Sequence, residues 1–420
     1  MKRTSKRKYE NRTVTVDFQD ERNYHCLCQD GRTFVEFVVV FIVSLGFQLK
    51  HKCGCPGGCC LTRHTHYTRI RLGGLMIWRL QCKHCGAVFT ILPHFVLRYQ
   101  SMKPETAAQA LLATHGGLSL EWTATVFEEV SAMAIYRLLS AFGQACLVTV
   151  LTRCSLPLPQ YLIADEKQSA CLTEKVYLPT IVVGRLIWHL GYAEDKSADA
   201  FQASYREFQQ AAQSIETTYK PKGILTDGFE SSRKSLRTLF PNSPLGNCLL
   251  HATWRVAQKL KSVASSGRKG LSQEFYALFQ ERCQSNLLKV FSLGQKLRRF
   301  AEGVSKRTGT ANGERVKEWI SKKKEGWFVL FRDPDIPATS TFLDQAHNVI
   351  DRKLFMMKGF HHPEGSQEAF LTGLALLYNL VPYQRRAKNA GECGVEVEGG
   401  RLPTHNWFLN LQILTSGGFQ

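Results

Sequence analysis

The chain has 420 residues, with 54 Lys+Arg against 35 Asp+Glu, a formal net charge of +19, and 14 Cys. Hydrophobic side chains make up 44% of it, which excludes a wholly disordered protein and leaves room for two or three domains of about 150 residues. The longest apolar run, Phe34 to Phe47, is broken by Glu36 and is shorter than the ~20 residues a spanning helix needs; the basic start runs into Asp17, Asp20 and Glu21, so a soluble cytoplasmic protein is expected.

In chain order, residues 1–25 read as a basic arm and residues 26–100 as a Cys-rich, strand-favouring, zinc-ribbon-like module. Residues 1–103 carry 17 basic and 6 acidic side chains. Tyr67–Leu72 and Leu75–Leu80 flank Gly73-Gly74, a hairpin signal that delivers the chain to Cys82-Lys-His-Cys85-Gly86. Zinc takes four soft ligands in a tetrahedron, usually from two knuckles. Cys82 and Cys85 have the spacing of one knuckle. The other comes from among Cys53, Cys55, Cys59 and Cys60, with His64 and His66 as outside candidates. Cys55-Pro-Gly-Gly-Cys59 is the neatest, so the expected structural Zn²⁺ ligands are Cys55, Cys59, Cys82 and Cys85, with Cys26 and Cys28 as free thiols.

Residues 101–155 switch to helical spacing. Pro104 stands at a helix start, Ser119 begins a second helix and Ser131 caps a third, an arrangement that suits a helix-turn-helix as well as a plain helical bundle. Leu156-Pro-Leu-Pro159 marks a boundary. Beyond it the pattern reads β-β-β-α-β-α-β over residues 156–265, a mixed α/β layer. A basic helical insertion follows at 266–335, then helices over 336–385 and a tail at 386–420 with no assigned role. Residues 258–324 hold 16 basic and 5 acidic side chains, a second positive block. Two such blocks point to a phosphate polymer as partner, with nucleic acid ahead of an anionic membrane because no basic amphipathic helix stands out.

Asp165 closes the apolar run Tyr161-Leu-Ile-Ala, and Asp227 closes Gly223-Ile-Leu-Thr. Carboxylates at neighbouring strand ends can share divalent ions such as Mg²⁺, and two such ions assist both the attacking and the leaving oxygen of a phosphodiester. A third acid comes from Asp344 or Asp351, seven residues apart and on one helix face.

At these residues the chain resembles a bacterial insertion-sequence transposase of the DDE type, mutator-like, with a ribonuclease-H-like core. The likeness rests on Leu162-Ile-Ala-Asp165-Glu166, on Ile224-Leu-Thr-Asp227-Gly228, and on Cys248-Leu-Leu-His251 with Trp254-Arg255 behind it. It also rests on Thr339–Asp344 followed by Lys358-Gly-Phe-His and Tyr378-Asn379. The zinc module and helix-turn-helix form a front end common in such enzymes, so the resemblance spans roughly residues 50–385. Two departures stand out: the third acid is Asp344 rather than Glu, and Ser340 and Thr341 stand where Asn is expected. The third acid therefore stays open between Asp344 and Asp351.

The resemblance implies a ribonuclease-H-like mixed sheet with a helical insertion. It implies that Asp165, Asp227 and Asp344 hold two Mg²⁺ (or Mn²⁺) ions, cut the ends of the insertion element and join them to target DNA. His251, with Cys248, would be auxiliary near the carboxylates, and Trp319 and Trp327 in the insertion would either grip DNA or form a helical core. It further implies a homodimer or larger assembly on DNA, near the bacterial nucleoid. Two rivals remain: a catalytically degenerate, transposase-derived DNA-binding protein, and a zinc-ribbon regulator whose α/β domain would show no acid cluster.

Overall fold

The computed structural model describes residues 11–51, 53, 60–98, 100, 102–280, 287–357, 359–360 and 367–419. It divides into two compact units: Met1–Leu156 with Arg352–Lys358 and Glu364–Gln420, and Pro157–Asp351 with Gly359–Pro363. Each has its own mixed sheet and its own helices, so the chain is of the mixed α/β class.

The first unit opens with β1 (Thr13–Val16), α1 (Glu21–Gln29), α2 (Gly31–Ser44), β2 (Leu61–Arg69), β3 (Leu75–Cys82) and β4 (Val88–Pro93). The strand order is β1-β4-β3-β2, with β1 parallel to β4 and the other pairs antiparallel. The hairpin signal holds: β2 pairs with β3 around Gly73 and Gly74, whose φ angles of 65° and 83° need glycine.

Two expectations are corrected here. The basic arm does not reach residue 25, because Val14 and Val16 are fully buried along β1 and Asp20 caps α1 by accepting from the Asn23 amide. Nor does the Cys-rich module begin with strand. Phe34, Val38 and Ile42 recur every fourth residue and form the buried stripe of α2, with Asp30 as its cap. That burial outweighs the β preference of Val38-Val39-Val40. Phe18 stacks on Phe34 at 5.6 Å in this core.

Next come α3 (Pro104–Gly116), α4 (Leu120–Val126), α5 (Ala132–Phe142) and α6 (Leu147–Arg153). Pro104 starts α3, and the Ser119 and Ser131 hydroxyls accept from the Trp122 and Ala134 amides as N-caps.

The second unit contains β5 (Tyr161–Cys171), β6 (Glu174–Val183), β7 (Leu186–Leu190), α7 (Ala198–Ile215), β8 (Gly223–Thr226), α8 (Glu230–Leu239) and β9 (Leu245–Asn247). After them come α9 (Leu249–Lys259), α10 (Ser265–Ala277), α11 (Leu287–Thr308), α12 (Thr310–Arg332) and α13 (Thr341–Met356), whose residues from Arg352 onward belong to the first unit. The expected β-β-β-α-β-α-β succession is present. The sheet order is β7-β6-β5-β8-β9: the first three strands are antiparallel in sequence, and β8 and β9 run parallel to β5. β5 does not stop at Asp165. It continues to Cys171 because Glu166–Cys171 pair with Glu174–Pro179 of β6.

The chain then supplies α14 (Gln367–Leu380), α15 (Gly394–Val397) and α16 (Trp407–Leu414) to the first unit. The segment expected as a tail is part of that unit's core. Phe408, Ile413 and Phe419 are buried, Gly418 N–H donates to the Thr13 carbonyl, and Arg153 donates to the Leu414 and Phe419 carbonyls. Among the described residues no single helix is long and apolar enough to cross a membrane.

Candidate functional site

The parallel register of β5 and β8 ends at Ala164↔Thr226. Asp165 and Asp227 are each the next residue, so they stand side by side where the β5–β8 pairing ends, about 4.8 Å apart: Asp227 just past the carboxyl end of β8, Asp165 within β5, which runs on beside β6. Parallel strands leave this edge open for ligands. Asp165, Glu166 and Asp227 bring one oxygen each within 4.8 Å of one another. Local bonds fix two of them: Asp227 Oδ1 accepts from the Phe229 amide at 2.6 Å across a turn whose Gly228 has φ 93°, and Asp165 Oδ1 accepts from the Glu166 amide at 2.8 Å. Glu166 accepts from the Tyr205 hydroxyl at 3.2 Å.

Asp344, His251 and Asp165 form a second group of the same compactness, so Asp165 belongs to both. Asp344 lies in the first turn of α13, and His251 lies early in α9, which begins where β9 ends. Ser340 Oγ sits between them, 3.3 Å from Asp344 Oδ2, 3.4 Å from His251 Nδ1 and 3.3 Å from Cys248 Sγ. Asp351, the other candidate for third acid, is not in either group: its Oδ2 is 2.5 Å from Lys167 Nζ.

Crowding of acids shapes the electrostatics. The Asp165 carboxyl is pushed up to about 7 by burial and then by Asp227 beside it. Burial, Asp165 and Asp227 together hold Glu166 well above the carboxylate range. His251 is raised to about 9, first by its hydrogen bond with Cys248, against the opposing effect of burial, and then by the charges of Cys248, Asp165 and Asp227. Burial pushes the Cys248 thiol up, and the His251 hydrogen bonds overcome it, leaving it below its ordinary value. The all-oxygen group of Asp165, Glu166 and Asp227 is a hard donor set of the kind Mg²⁺ or Mn²⁺ takes, and the second group adds a nitrogen from His251.

A cleft of about 340 Å³ opens beside Asp227, lined by Asn247, Arg255, Lys259, Lys323, Trp319 and Trp327 among others. α12 is held against this edge. Lys323 Nζ donates to the Gly228 carbonyl at 2.8 Å, and Asn247 Nδ2 donates to the Lys323 carbonyl at 2.9 Å. A Cβ at Gly326 would lie 2.3 Å from the Asn247 amide nitrogen, so only glycine allows the helix this close. Trp327 is 1% exposed and packs edge-on to Trp319 at 5.2 Å and to Phe275 at 5.6 Å. The tryptophans therefore build the helical core and also wall the cleft.

In the first unit, His51, Cys53, Cys82 and Cys85 place their ligand atoms within 4.8 Å of one another. Cys53 Sγ and Cys82 Sγ are 3.7 Å apart. Two sulfurs on one tetrahedral zinc at 2.3 Å stand about 3.8 Å apart, so this spacing suits zinc. Burial raises the Cys82 thiol, but the Cys85 backbone N–H, the Cys60 thiol and the His84 backbone N–H outweigh it and bring it down to about 6, favouring the thiolate that a metal needs. His51 Nε2 is buried without a hydrogen-bond partner. Three thiols and an imidazole form a donor set for a metal such as zinc. Cys60 Sγ lies 3.2 Å from Cys82 Sγ, longer than any disulfide and shorter than the tetrahedral edge. Cys82 and Cys85 thus join as expected, whereas the expected Cys55 and Cys59 lie outside the described residues. His64 and His66 are on β2, outside this group.

Sequence reading missed His51, Glu166 and Ser340. His51 had a usable signal, the short His51-x-Cys53 spacing. Glu166 follows Asp165 in the strand and would ordinarily face the other side. Comparison of the chain with known protein families and with curated proteins finds no match.

Proposed function

We propose that the second unit is the catalytic core of a DDE-type DNA transposase, cutting the ends of its own element and joining them to target DNA. The observation that carries this reading is the convergence of Asp165, Asp227 and Asp344, from three distant segments, at the point where the β5–β8 pairing ends. Counted within the unit, the strand order 3-2-1-4-5, with the last two parallel to the first, is that of ribonuclease-H-like cores and supports the same fold.

When bound, a pair of Mg²⁺ or Mn²⁺ ions supplies positioning and charge neutralisation to an in-line phosphodiester displacement. The chain's own residues do the rest. Asp165, shared by both acid groups, would hold such ions together with Glu166, Asp227 and Asp344. His251, cationic at neutral pH, offsets the local negative charge and holds Asp344 through Ser340. Arg255, Lys259 and Lys323 would neutralise phosphates of a strand lying in the cleft, and Trp319 offers a ring face there for a base. In the first unit, the metal-bound Cys/His cluster would be a zinc-ribbon module stabilising the β2–β3–β4 sheet. The α3–α5 helices would form a second DNA-binding element.

The test is cleavage of labelled DNA carrying the gene's own flanks, with Mg²⁺ or Mn²⁺, by wild type and by Asp227→Asn. Site-specific nicks that require metal and vanish in the variant are expected. Wild type that binds those flanks and leaves them uncut under either metal would instead leave a DNA-binding protein with an inactive core.

A further inference from the structure

We infer that His347 is a positioning residue: its hydrogen bond to Thr180 sets the rotation of α13 on the sheet and so aims Asp344 at Asp165. This rests on the metal-site reading above and adds a residue that its acids do not include.

Thr180 is the cross-strand partner of Asp165 in the β5–β6 register, so the two side chains leave the same face of the sheet about 5 Å apart. The Thr180 hydroxyl donates to the Leu178 carbonyl at 2.9 Å, leaving its oxygen to accept. His347 Nε2 lies 3.0 Å from that oxygen and is therefore the donor, which fixes the ring as the Nε2–H tautomer. Thr180 is fully buried and His347 is 6% exposed. Burial first, then the charges of Lys167 and His251, pushes the imidazole down to about 3, so it is neutral.

His347 is three residues after Asp344 and shares its face of α13. The neighbours on that face, Leu343, Ala346 and Ile350, are apolar and buried. An all-apolar face would hold the helix down but would let it turn or slide, because apolar contact has no direction. One residue of slippage turns the helix by about 100° and carries Asp344 away from the site. A buried hydrogen bond one turn from Asp344, directed at the residue paired with Asp165, removes that freedom. Lys167 and Asp351 tie the next turn to β5.

The test uses the full-length protein and its His347→Ala, His347→Gln, Thr180→Val and His347→Ala/Thr180→Val variants. Free Mn²⁺ is followed by electron paramagnetic resonance, Asp165→Asn identifies the carboxylate site, and thermal unfolding reports the fold. His347→Ala and Thr180→Val are each expected to weaken Mn²⁺ at that site by about 10-fold or more. The double variant should be no weaker than the worse single one. His347→Gln, which keeps a donor, should recover to within about threefold of wild type. In cleavage, the Mg²⁺ concentration for half-maximal rate should rise while the rate at saturating Mg²⁺ changes little. A folded His347→Ala or Thr180→Val protein with wild-type Mn²⁺ affinity overturns the inference, as does a Gln variant no better than Ala. Thr180→Val, nearly isosteric, carries the test if His347→Ala does not fold. Wild type that binds Mn²⁺ at Asp165 but never cuts DNA removes the transposase reading and leaves the His347 result to stand; wild type that binds no Mn²⁺ there overturns both.

Discussion

Asp351 Oδ2 lies 2.5 Å from Lys167 Nζ, while Asp344, two turns earlier on the same helix, groups with Asp165 and His251. One acid of α13 is thus engaged by a cation of β5, and the other faces the carboxylates. Asp344→Asn is expected to lower metal-dependent DNA cleavage by about 100-fold or more, beyond the effect of losing an outer-shell partner. Asp351→Asn should cost less than about tenfold, since its half-exposed ion pair contributes little. Cleavage rates of the two variants under saturating Mg²⁺ decide it, and equal losses would put the third ligand back in question.

The cleft beside Asp227 leads to a salt prediction. Arg255 and Lys259 line it from α9, and each would meet one phosphate. Replacing either by Ala should weaken binding to any DNA and reduce the slope of log K against log salt by about 1. An unchanged slope for both variants would show that the strand runs elsewhere.

For the Cys/His group, purified protein is expected to carry zinc, measurable by release with a thiol-reactive reagent. Cys82→Ser and Cys85→Ser should abolish that metal. A structural ion is coupled to folding, so its loss is expected to lower the melting temperature of the first unit by an amount corresponding to several kcal/mol. Metal-free protein with unaltered melting would refute a structural role.

Lys353 gives a pH prediction away from the carboxylate and Cys/His clusters. Its Nζ donates to the carbonyls of Thr114 and His115 at the end of α3, and it is 5% exposed. Burial, then Arg352 nearby, pulls the ammonium down to about 8 from its ordinary 10.5. A depressed lysine favours the neutral form in the fold. Its contribution to stability is therefore full above pH 10.5 and is lost as pH falls through 8. Relative to Lys353→Met, the wild type should gain up to about 3 kcal/mol of stability between pH 8 and 10.5. Denaturant unfolding of both proteins across that window measures it; parallel pH profiles would rule it out.

A close approach made by one glycine is also testable. Gly326→Ala puts a methyl group into the Asn247 amide, so it should push α12 off the β9 edge and cost about 1–3 kcal/mol. Gly46→Ala, at a position with open space but φ 69°, should cost no more than the strain of a left-handed alanine, about 1–2 kcal/mol. Comparing the two melting temperatures separates crowding from backbone strain, and a neutral Gly326→Ala would mean that α12 is not tightly seated.

Much of this molecule was already determined by local chemistry along the chain. The apolar runs before Asp165 and Asp227 fixed two parallel strands, Ser119, Ser131 and Pro104 fixed helix starts, and Gly73-Gly74 fixed a hairpin, because caps, turns and strand periods act within a few residues. Cys82-x-x-Cys85 likewise marked, by its own spacing, two members of the cluster that could hold a metal. Tertiary structure decided what depends on distant partners. It turned Phe34–Ile42 into a helix by giving that stripe a sheet to cover, and drew residues 408–419 into the core of the first unit. It separated Asp344 from Asp351, equivalent by their spacing on one helix face, by placing Lys167 opposite one and Asp165 opposite the other. Which acid meets which partner is a matter of strand register and helix rotation, and those are set by packing between segments more than a hundred residues apart.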